Sequence, residues 1–187
     1  MYGLVNRGVA QLIRSEFGED AWENILDRAG IDDDAFLAMD PYDDKITYDL
    51  VVAASEELEK PVPDLLFAFG EYWILYTADE GYGALIDLYD GDLVSFLGNL
   101  NAMHEQVKIN FPDLVPPRFE VAVEESGAIE LSYFSTREGL APMVLGLLTG
   151  LGKKFGQELS VEQTSTASGE APDIFRIVLQ PETNSQA

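Results

Sequence analysis

The sequence predicts an α+β fold in one domain, and three observations support that prediction. The chain has 187 residues, about the length of one ordinary domain. Apolar residues recur at helical spacing in the first part, and from Arg118 onward they alternate as in strands. A composition of 47% hydrophobic and 24% charged residues is typical of a packed globular chain. We expect a single domain over 1–180, with a helical lobe at 1–60, a second lobe at 61–180 and a loose tail at 181–187.

The first sixty residues are predicted to form short helices separated by acidic loops. One apolar helical face ends at Phe17, and a second ends near Gly30. The three aspartates at 32–34 offer N-cap residues for a third helix. A further helix is predicted at 46–59, because its apolar residues keep helical spacing until Pro61 stops it.

Two longer helical patterns follow. Residues 64–76 are dense in apolar and aromatic side chains, which predicts a helix buried on several sides. A loop at 81–83 and a short helix at 84–89 come next. Residues 92–109 form the clearest amphipathic helix of the chain, and His104 lies on its apolar face.

The C-terminal part is predicted to contain a small antiparallel sheet. A cluster of prolines ends the helical pattern, and alternation then predicts a hairpin with strands at 119–123 and 129–137. A glycine-spaced helix is expected at 141–157. Two final strands are expected at 159–166 and 173–180.

Charge and cysteine content exclude several classes of function. The chain has 34 acidic and 11 basic residues, a net charge of −23. Such a charge repels phosphate backbones and anionic lipid, so nucleic acid and membranes are poor partners. The absence of cysteine excludes disulfides, thiolate metal sites and cysteine nucleophiles. No secretory signal is visible and the longest apolar run is too short to span a bilayer, which favours a cytoplasmic protein.

His104 is the only histidine and the only soft nitrogen ligand in the chain. One interpretation is an ordinary core or half-exposed histidine. The other is an axial ligand of haem iron, because a neutral imidazole in an apolar slot suits five-coordinate ferrous haem. The residue by itself leaves both interpretations open.

The predicted strand at 129–137 has an unusual face. Alternation places Ile129, Leu131, Tyr133, Ser135 and Arg137 on one side. If the apolar members face the core, Arg137 also points inward and needs an anion. Three donors at this spacing suit a pair of carboxylates, such as porphyrin propionates. The alternative is an exposed edge strand in which Arg137 pairs with a surface acid.

Several motifs, taken in order, resemble a known family. They are the opening Met1-Tyr2-Gly3-Leu4-Val5, the pair Phe69-Gly70, His104, the pair Pro116-Pro117, the triplet Tyr133-x-Ser135-x-Arg137, and the helix containing Gly139-Leu140 and Leu145-Gly146. Together they are similar to the haem nitric oxide/oxygen-binding (H-NOX) domain, which is related to the haem domain of soluble guanylate cyclase. The resemblance covers residues 1 to about 180.

The resemblance implies that haem b (iron protoporphyrin IX) is buried between a distal N-terminal lobe and a proximal C-terminal lobe. It implies that His104 is the proximal iron ligand, that Tyr133, Ser135 and Arg137 hold the propionates, and that Pro117 distorts the porphyrin. The other residues expected to contact haem are Met1, Tyr2, Leu4, Val5, Val9, Trp73, Leu100, Met103, Met143, Val144 and Leu147.

The resemblance also bears on the choice of gas. Met143 stands where oxygen-binding members of the family have a tyrosine. Bound oxygen gains from a hydrogen-bond donor, whereas nitric oxide binds tightly without one. An apolar wall therefore predicts binding of nitric oxide and carbon monoxide. Trp73 is expected to be packing, with its indole N–H as the alternative donor.

The expected function is gas sensing without catalysis. Nitric oxide would weaken the bond to His104, free the helix at 92–109 and let haem relax against Pro117. The signal would pass to a separate protein, which family analogy suggests is a histidine kinase or a cyclic-dinucleotide enzyme. The alternatives are a passive haem or gas carrier, an oxygen sensor without a dedicated partner, and a haem-free interaction domain in which His104 is core.

Overall fold

A helical N-terminal half precedes a four-stranded sheet in the computed structural model, which describes residues 1–32, 35–77 and 92–180. These residues form an α+β fold, as predicted. The helices are α1 (Gly3–Phe17), α2 (Glu19–Ala29), α3 (Asp44–Glu57), α4 (Val62–Thr77), α5 (Leu93–Val107) and α6 (Ala141–Lys154). The strands are β1 (Arg118–Val123), β2 (Ile129–Phe134), β3 (Leu159–Ser165) and β4 (Asp173–Leu179). The loop predicted at 81–83, the helix at 84–89 and the tail at 181–187 lie outside the described residues.

The predicted third helix after the aspartates at 32–34 does not form over 35–43. This stretch instead binds the start of α1, where helical N–H groups lack partners within the helix. The N–H of Gly3 donates to the carbonyl oxygen of Asp40 at 2.9 Å, and the N–H of Leu4 donates to that of Ala38 at 3.0 Å. A Cβ atom at Gly3 would overlap a backbone carbonyl of the same stretch, so only glycine fits there.

Helices α4 and α6 cross with their backbones in contact. A Cβ atom at Gly70 would overlap the carbonyl oxygen of Met143, and one at Gly146 would overlap that of Phe67. The two glycines therefore remove the side chains that would hold the helices apart. This crossing fixes Met143 relative to the aromatic residues of α4.

The sheet is antiparallel throughout and has the strand order β1-β2-β4-β3. Strand β2 is therefore an interior strand, and the edge-strand interpretation of 129–137 is wrong. The strand also ends at Phe134, which pairs with Arg118. The next pair would join Ser135 to Pro117, and proline has no N–H for the ladder. Ser135 and Arg137 follow the strand in a connecting segment. The predicted inward face is confirmed for Ile129, Leu131 and Tyr133, which are 0%, 1% and 5% exposed.

Buried side chains form three clusters. The N-terminal cluster contains Val9, Ala10, Ile13, Trp22, Ile25, Phe36, Leu50, Ala53, Ala54 and Phe69. The C-terminal cluster contains Ile74, Leu93, Phe96, Leu97, Phe119, Ile129, Leu131, Tyr133, Val144, Leu148, Leu151, Phe175 and Ile177. The bridging cluster contains Tyr2, Leu4, Tyr76 and Phe111. Helix α4 contributes to all three clusters, so side chains beyond residue 60 help to build the N-terminal cluster.

Helix length and polarity also bear on membrane insertion. Of the helices that the structure describes, none is long and apolar enough to cross a membrane.

Candidate functional site

His104 lies near the C-terminal end of α5 on the side that faces the C-terminal cluster. Burial lowers the pKa of His104 below its ordinary value of 6.5, and the nearby Glu105 only partly opposes this shift. The imidazole is therefore neutral at pH 7, the form that can bind a metal. Its Nδ1 atom is buried and has no hydrogen-bond partner in the described chain. Within the same residues, no group of three or more histidine or acidic side chains could hold a metal ion.

An aromatic ring of β1 covers the imidazole. The rings of His104 and Phe119 are stacked, with centroids 5.9 Å apart and planes 27° apart. The ring of Phe119 in turn lies 5.6 Å from that of Tyr133. The sequence identified Phe119 only as a strand residue, because its proximity to His104 depends on how α5 docks on the sheet edge.

The three residues of the predicted triplet are linked to one another. Burial raises the pKa of Tyr133, and a hydrogen bond with Ser135 partly offsets that rise. The Oγ atom of Ser135 also accepts a hydrogen bond from the backbone N–H of Arg137 at 3.0 Å. The structure thus brings the two hydroxyl groups and the guanidinium into one continuous stretch at the end of β2.

Arg137 has the anion that the sequence required, and that anion is a protein carboxylate. Its Nε donates to Oδ2 of Asp44 at 2.7 Å, and its Nη2 donates to Oδ1 at 3.3 Å. Its Nη1 donates to the carbonyl oxygen of Val115 at 2.9 Å. The Arg137 side chain is 20% exposed. Sequence analysis missed Asp44, because 93 residues separate it from Arg137 and it lies in an ordinary acidic stretch.

Asp44 also binds the N-terminal amino group of Met1, which donates a second hydrogen bond to the carbonyl oxygen of Tyr42 at 2.7 Å. Burial raises the pKa of Asp44, but the hydrogen bonds from the amino group and from Arg137 outweigh burial and hold it below its ordinary value. Asp44 is therefore ionised at neutral pH. It joins the start of α1, the start of α3 and the end of β2.

A cavity of about 210 Å³ lies beside this ionic junction. It brings together four predicted haem contacts, Met1, Val5, Val9 and Met143. Its remaining lining residues are Thr47, Tyr48, Val51, Val52, Val62, Leu66, Phe69, Gly139 and Leu140. The wall is mainly apolar.

Trp73 packs between helices. A Cβ atom added at Gly8 of α1 would lie 3.2 Å from the indole ring, and the ring of Tyr76 lies 5.7 Å away. Phe69 packs edge-on at 5.5 Å. These contacts support the packing interpretation over the donor interpretation.

The other residues that were expected to contact haem lie in or near the bridging cluster and the C-terminal cluster. Tyr2 and Leu4 belong to the bridging cluster, where Oη of Tyr2 accepts a hydrogen bond from the N–H of Asp113 at 2.9 Å. Tyr2 thereby contacts the connection that leads to the half-buried Pro117. Val144 is buried in the C-terminal cluster, and against that cluster pack Leu100, Met103 and Leu147. The sequence placed Leu4, Trp73 and Val144 in one pocket wall with Val5, Val9 and Met143. These first three residues do not line the cavity that contains the other three.

The sequence model of the Haem-NO-binding family matches residues 2–163. That match covers most of the chain, so the protein belongs to this family of haem-binding gas sensors. Domains of this family are sensor domains.

Similar proteins include soluble guanylate cyclases of Caenorhabditis elegans. The chain is 25% identical to gcy-31 over 163 residues, covering 87% of this chain and 23% of that protein. It is 32% identical to gcy-37 over 151 residues, covering 79% of this chain and 21% of that protein. The chain thus spans about a quarter of the length of the curated relatives it matches.

Solved structures show the same fold. An H-NOX protein from S. oneidensis in the Fe(II)NO ligation state has a TM-score of 0.87 at 21% identity, covering 97% of this chain and 100% of that one. The Fe(II) unliganded H-NOX protein from K. algicida has a TM-score of 0.85 at 20% identity, covering 100% of both chains.

Proposed function

We propose that this protein is a nitric oxide sensor in which His104 is the proximal ligand of haem b. The observation that carries the proposal is the half-buried imidazole of His104, whose pKa is lowered by burial and whose buried Nδ1 has no hydrogen-bond partner in the described chain. Haem, when bound, would supply a ferrous iron that could bind a diatomic gas. With no other histidine and no cysteine in the chain, His104 is the residue suited to hold that iron.

The triplet residues are suited to the haem propionates. An arginine has five N–H donors, and three of those of Arg137 serve Asp44 and Val115. Two therefore remain for another carboxylate. Ser135 and Tyr133 add hydroxyl donors beside it, and charge-assisted hydrogen bonds of this kind are strong. Asp44 then acts as the support that orients the guanidinium.

The cavity lining supports nitric oxide as the ligand. Val5, Val9 and Met143 present apolar groups that cannot donate a hydrogen bond to bound oxygen. The two hydroxyls of the lining already donate within the protein, that of Thr47 to Oδ1 of Asn6 and that of Tyr48 to the carbonyl oxygen of Glu138. Nitric oxide and carbon monoxide do not depend on such a donor. We infer that the reduced protein selects these two gases against oxygen.

The signal leaves through α5 and a separate partner protein. Helix α5 carries His104 and contacts β1 through the stacked ring of Phe119. A change in the position of His104 therefore acts on the sheet through Phe119. A histidine kinase or a cyclic-dinucleotide enzyme is the proposed partner by family analogy. With a net charge of −23, the domain is best complemented by a basic surface.

The test is an absorption spectrum of the reduced protein in air, repeated under nitric oxide and carbon monoxide. We expect a five-coordinate ferrous spectrum with one broad visible band in air, and a change with either gas. A stable oxy spectrum with split bands would overturn nitric oxide selectivity, and absence of haem would overturn the whole proposal.

A variant of His104 tests whether this residue is the iron ligand. His104→Gly should lose haem, or retain it only with free imidazole, since no second histidine exists. The control is Gln106→Gly, an exposed position on the same helix with the same glycine penalty of about 1 kcal/mol. If the activity of the partner protein does not change when nitric oxide is added, the protein is a passive carrier.

A further inference from the structure

Asn101 binds both backbone groups of one strand residue. Its Nδ2 donates to the carbonyl oxygen of Phe119 at 2.7 Å, and its Oδ1 accepts from the N–H of Phe119 at 2.9 Å. Two bonds between the same pair of planar groups fix orientation as well as distance. Asn101 precedes His104 by three residues on α5, so the two side chains lie on neighbouring turns of one helix face.

The strand position explains why this contact is available. Strand β1 is an edge of the sheet, and Phe119 stands opposite Tyr133 in the register. In antiparallel pairs, alternate residues direct their N–H and C=O away from the partner strand. The amide of Asn101 satisfies both groups of Phe119, as one residue of an additional strand would. It thereby attaches α5 to the sheet edge next to His104.

The same attachment fixes the ring that covers the imidazole. Phe119 lies between His104, at 5.9 Å, and Tyr133, at 5.6 Å. The Nδ1 atom of His104 has no hydrogen-bond partner in the described chain, so no hydrogen bond at that atom orients the ring there. The stacked ring of Phe119 is a contact that can orient this imidazole.

We propose that Asn101 is a positioning residue that holds the His104 imidazole in one orientation by locking Phe119 against it. The haem readouts below rest on the proposed function, whereas the contact itself does not. Asn101 touches neither gas nor iron in this scheme. It acts through Phe119 alone.

Asn99 provides a matched control on the same helix. Its Nδ2 donates to the carbonyl oxygen of Ser95 at 2.8 Å, within α5 itself. Both asparagines are exposed. Replacing either by alanine therefore removes the same amide from the same helix, and only Asn101→Ala breaks the link to β1.

The first measurement is NMR on the full chain as purified, with the haem-free chain as the sample if no haem is present. Asn101→Ala should speed amide exchange at Phe119 by roughly tenfold, the loss expected for one net hydrogen bond. Contacts between the protons of the His104 and Phe119 rings should weaken. Asn99→Ala should leave both unchanged. Equal effects in the two variants, or none in Asn101→Ala, would overturn the proposal.

The second measurement is the iron–histidine stretching band in the resonance Raman spectrum of the ferrous protein. Asn101→Ala should broaden or shift this band, and Asn99→Ala should not. Asn101→Asp keeps the acceptor for the N–H of Phe119 and places an anion against its carbonyl. Its effect on the band should therefore lie between the effects of Asn101→Ala and Asn99→Ala. If Asn101→Ala does not fold, Asn101→Asp is compared with Asn99→Ala instead. Faster exchange with an unchanged band would show that Asn101 only protects the sheet edge, which overturns the positioning role.

The two proposals fail in different ways. A haem-free wild-type protein would end the proposed function, while the amide exchange and ring contacts would still decide whether Asn101 locks Phe119. A haem-bearing protein with unaffected ring contacts would end only the role of Asn101.

Discussion

Asp44 pairs with two cations that are far apart in the sequence, the amino group of Met1 and the guanidinium of Arg137. No spacing pattern predicts this meeting, because each residue belongs to a different element. At the scale of single residues, the sequence predicted that Arg137 needs an anion and that His104 lies on the apolar face of its helix, where the structure has it half-buried. The partner of one and the stacked neighbour of the other depend on tertiary packing.

Removing the charge of Asp44 should destabilise the fold. Hydrogen bonds to charged groups are worth roughly 1.5–3 kcal/mol each, but the Asp44 side chain is 37% exposed and solvent screens the pairs. We therefore expect Asp44→Asn to cost about 1 kcal/mol, measured by urea unfolding. Asp49→Asn, which breaks only a pair with Lys45 within α3, should cost less. Equal losses would show that the pairs of Asp44 with Met1 and Arg137 add no particular stability.

The effect of Asp44 should depend on pH. Its pKa is lowered in the folded state, so the stabilisation is present above the unfolded pKa of about 4 and is lost as the pH falls through the folded value. The difference in unfolding free energy between the wild type and Asp44→Asn should thus shrink below about pH 4. A difference that persists at lower pH would show that packing causes it.

Met143 provides a test of ligand choice. A hydroxyl that reaches bound oxygen adds a hydrogen bond worth roughly 1.5–3 kcal/mol, or about one to two decades in affinity. Met143→Tyr should therefore gain measurable oxygen affinity, seen by oxygen titration of the ferrous protein. If the wild type already holds oxygen, Trp73→Phe must abolish that binding, and Trp73 would then be the donor.

Helix contact at the α4–α6 crossing is the strongest constraint at the scale of elements. Gly146→Ala forces a methyl group against the carbonyl oxygen of Phe67, and overpacking of this kind costs about 1–3 kcal/mol. Thermal and urea unfolding should show that loss. Gly98→Ala is the control: no described atom lies within 4 Å of its added Cβ, so it should stabilise α5 by about 0.5–1 kcal/mol. If Gly98→Ala were destabilised as well as Gly146→Ala, the loss would not be specific to the helix crossing.

Local patterns predicted most elements well. The helix expected at 92–109 is α5, and the strand expected at 173–180 is β4, each within two residues. The two errors arise from contacts distant in sequence. The stretch 35–43 stays non-helical because its carbonyls bind the start of α1. Strand β2 stops at Phe134 because the register places Pro117 opposite the next residue.

Net charge governs behaviour at the scale of the whole molecule. At −23, repulsion between carboxylates opposes the folded state. Raising ionic strength from about 0.01 to 0.15 M shortens the screening length from roughly 30 to 8 Å, so the melting temperature should rise. Glu23→Gln on the acidic face of α2 should raise it at low salt and matter less at high salt. A melting temperature that falls with salt would show that ion pairs such as Arg176–Glu124 outweigh the repulsion.

The backbone contact between Gly70 and Gly146 also bears on how such a cavity can evolve. Because α4 and α6 already touch, small helix displacements cannot bring them closer and narrow the space beside Met143. Narrowing that space requires a larger side chain at the wall. Descendants of this protein can therefore reshape the cavity by single codon substitutions on an unchanged scaffold, and the glycine pair should outlast the residues that line the cavity.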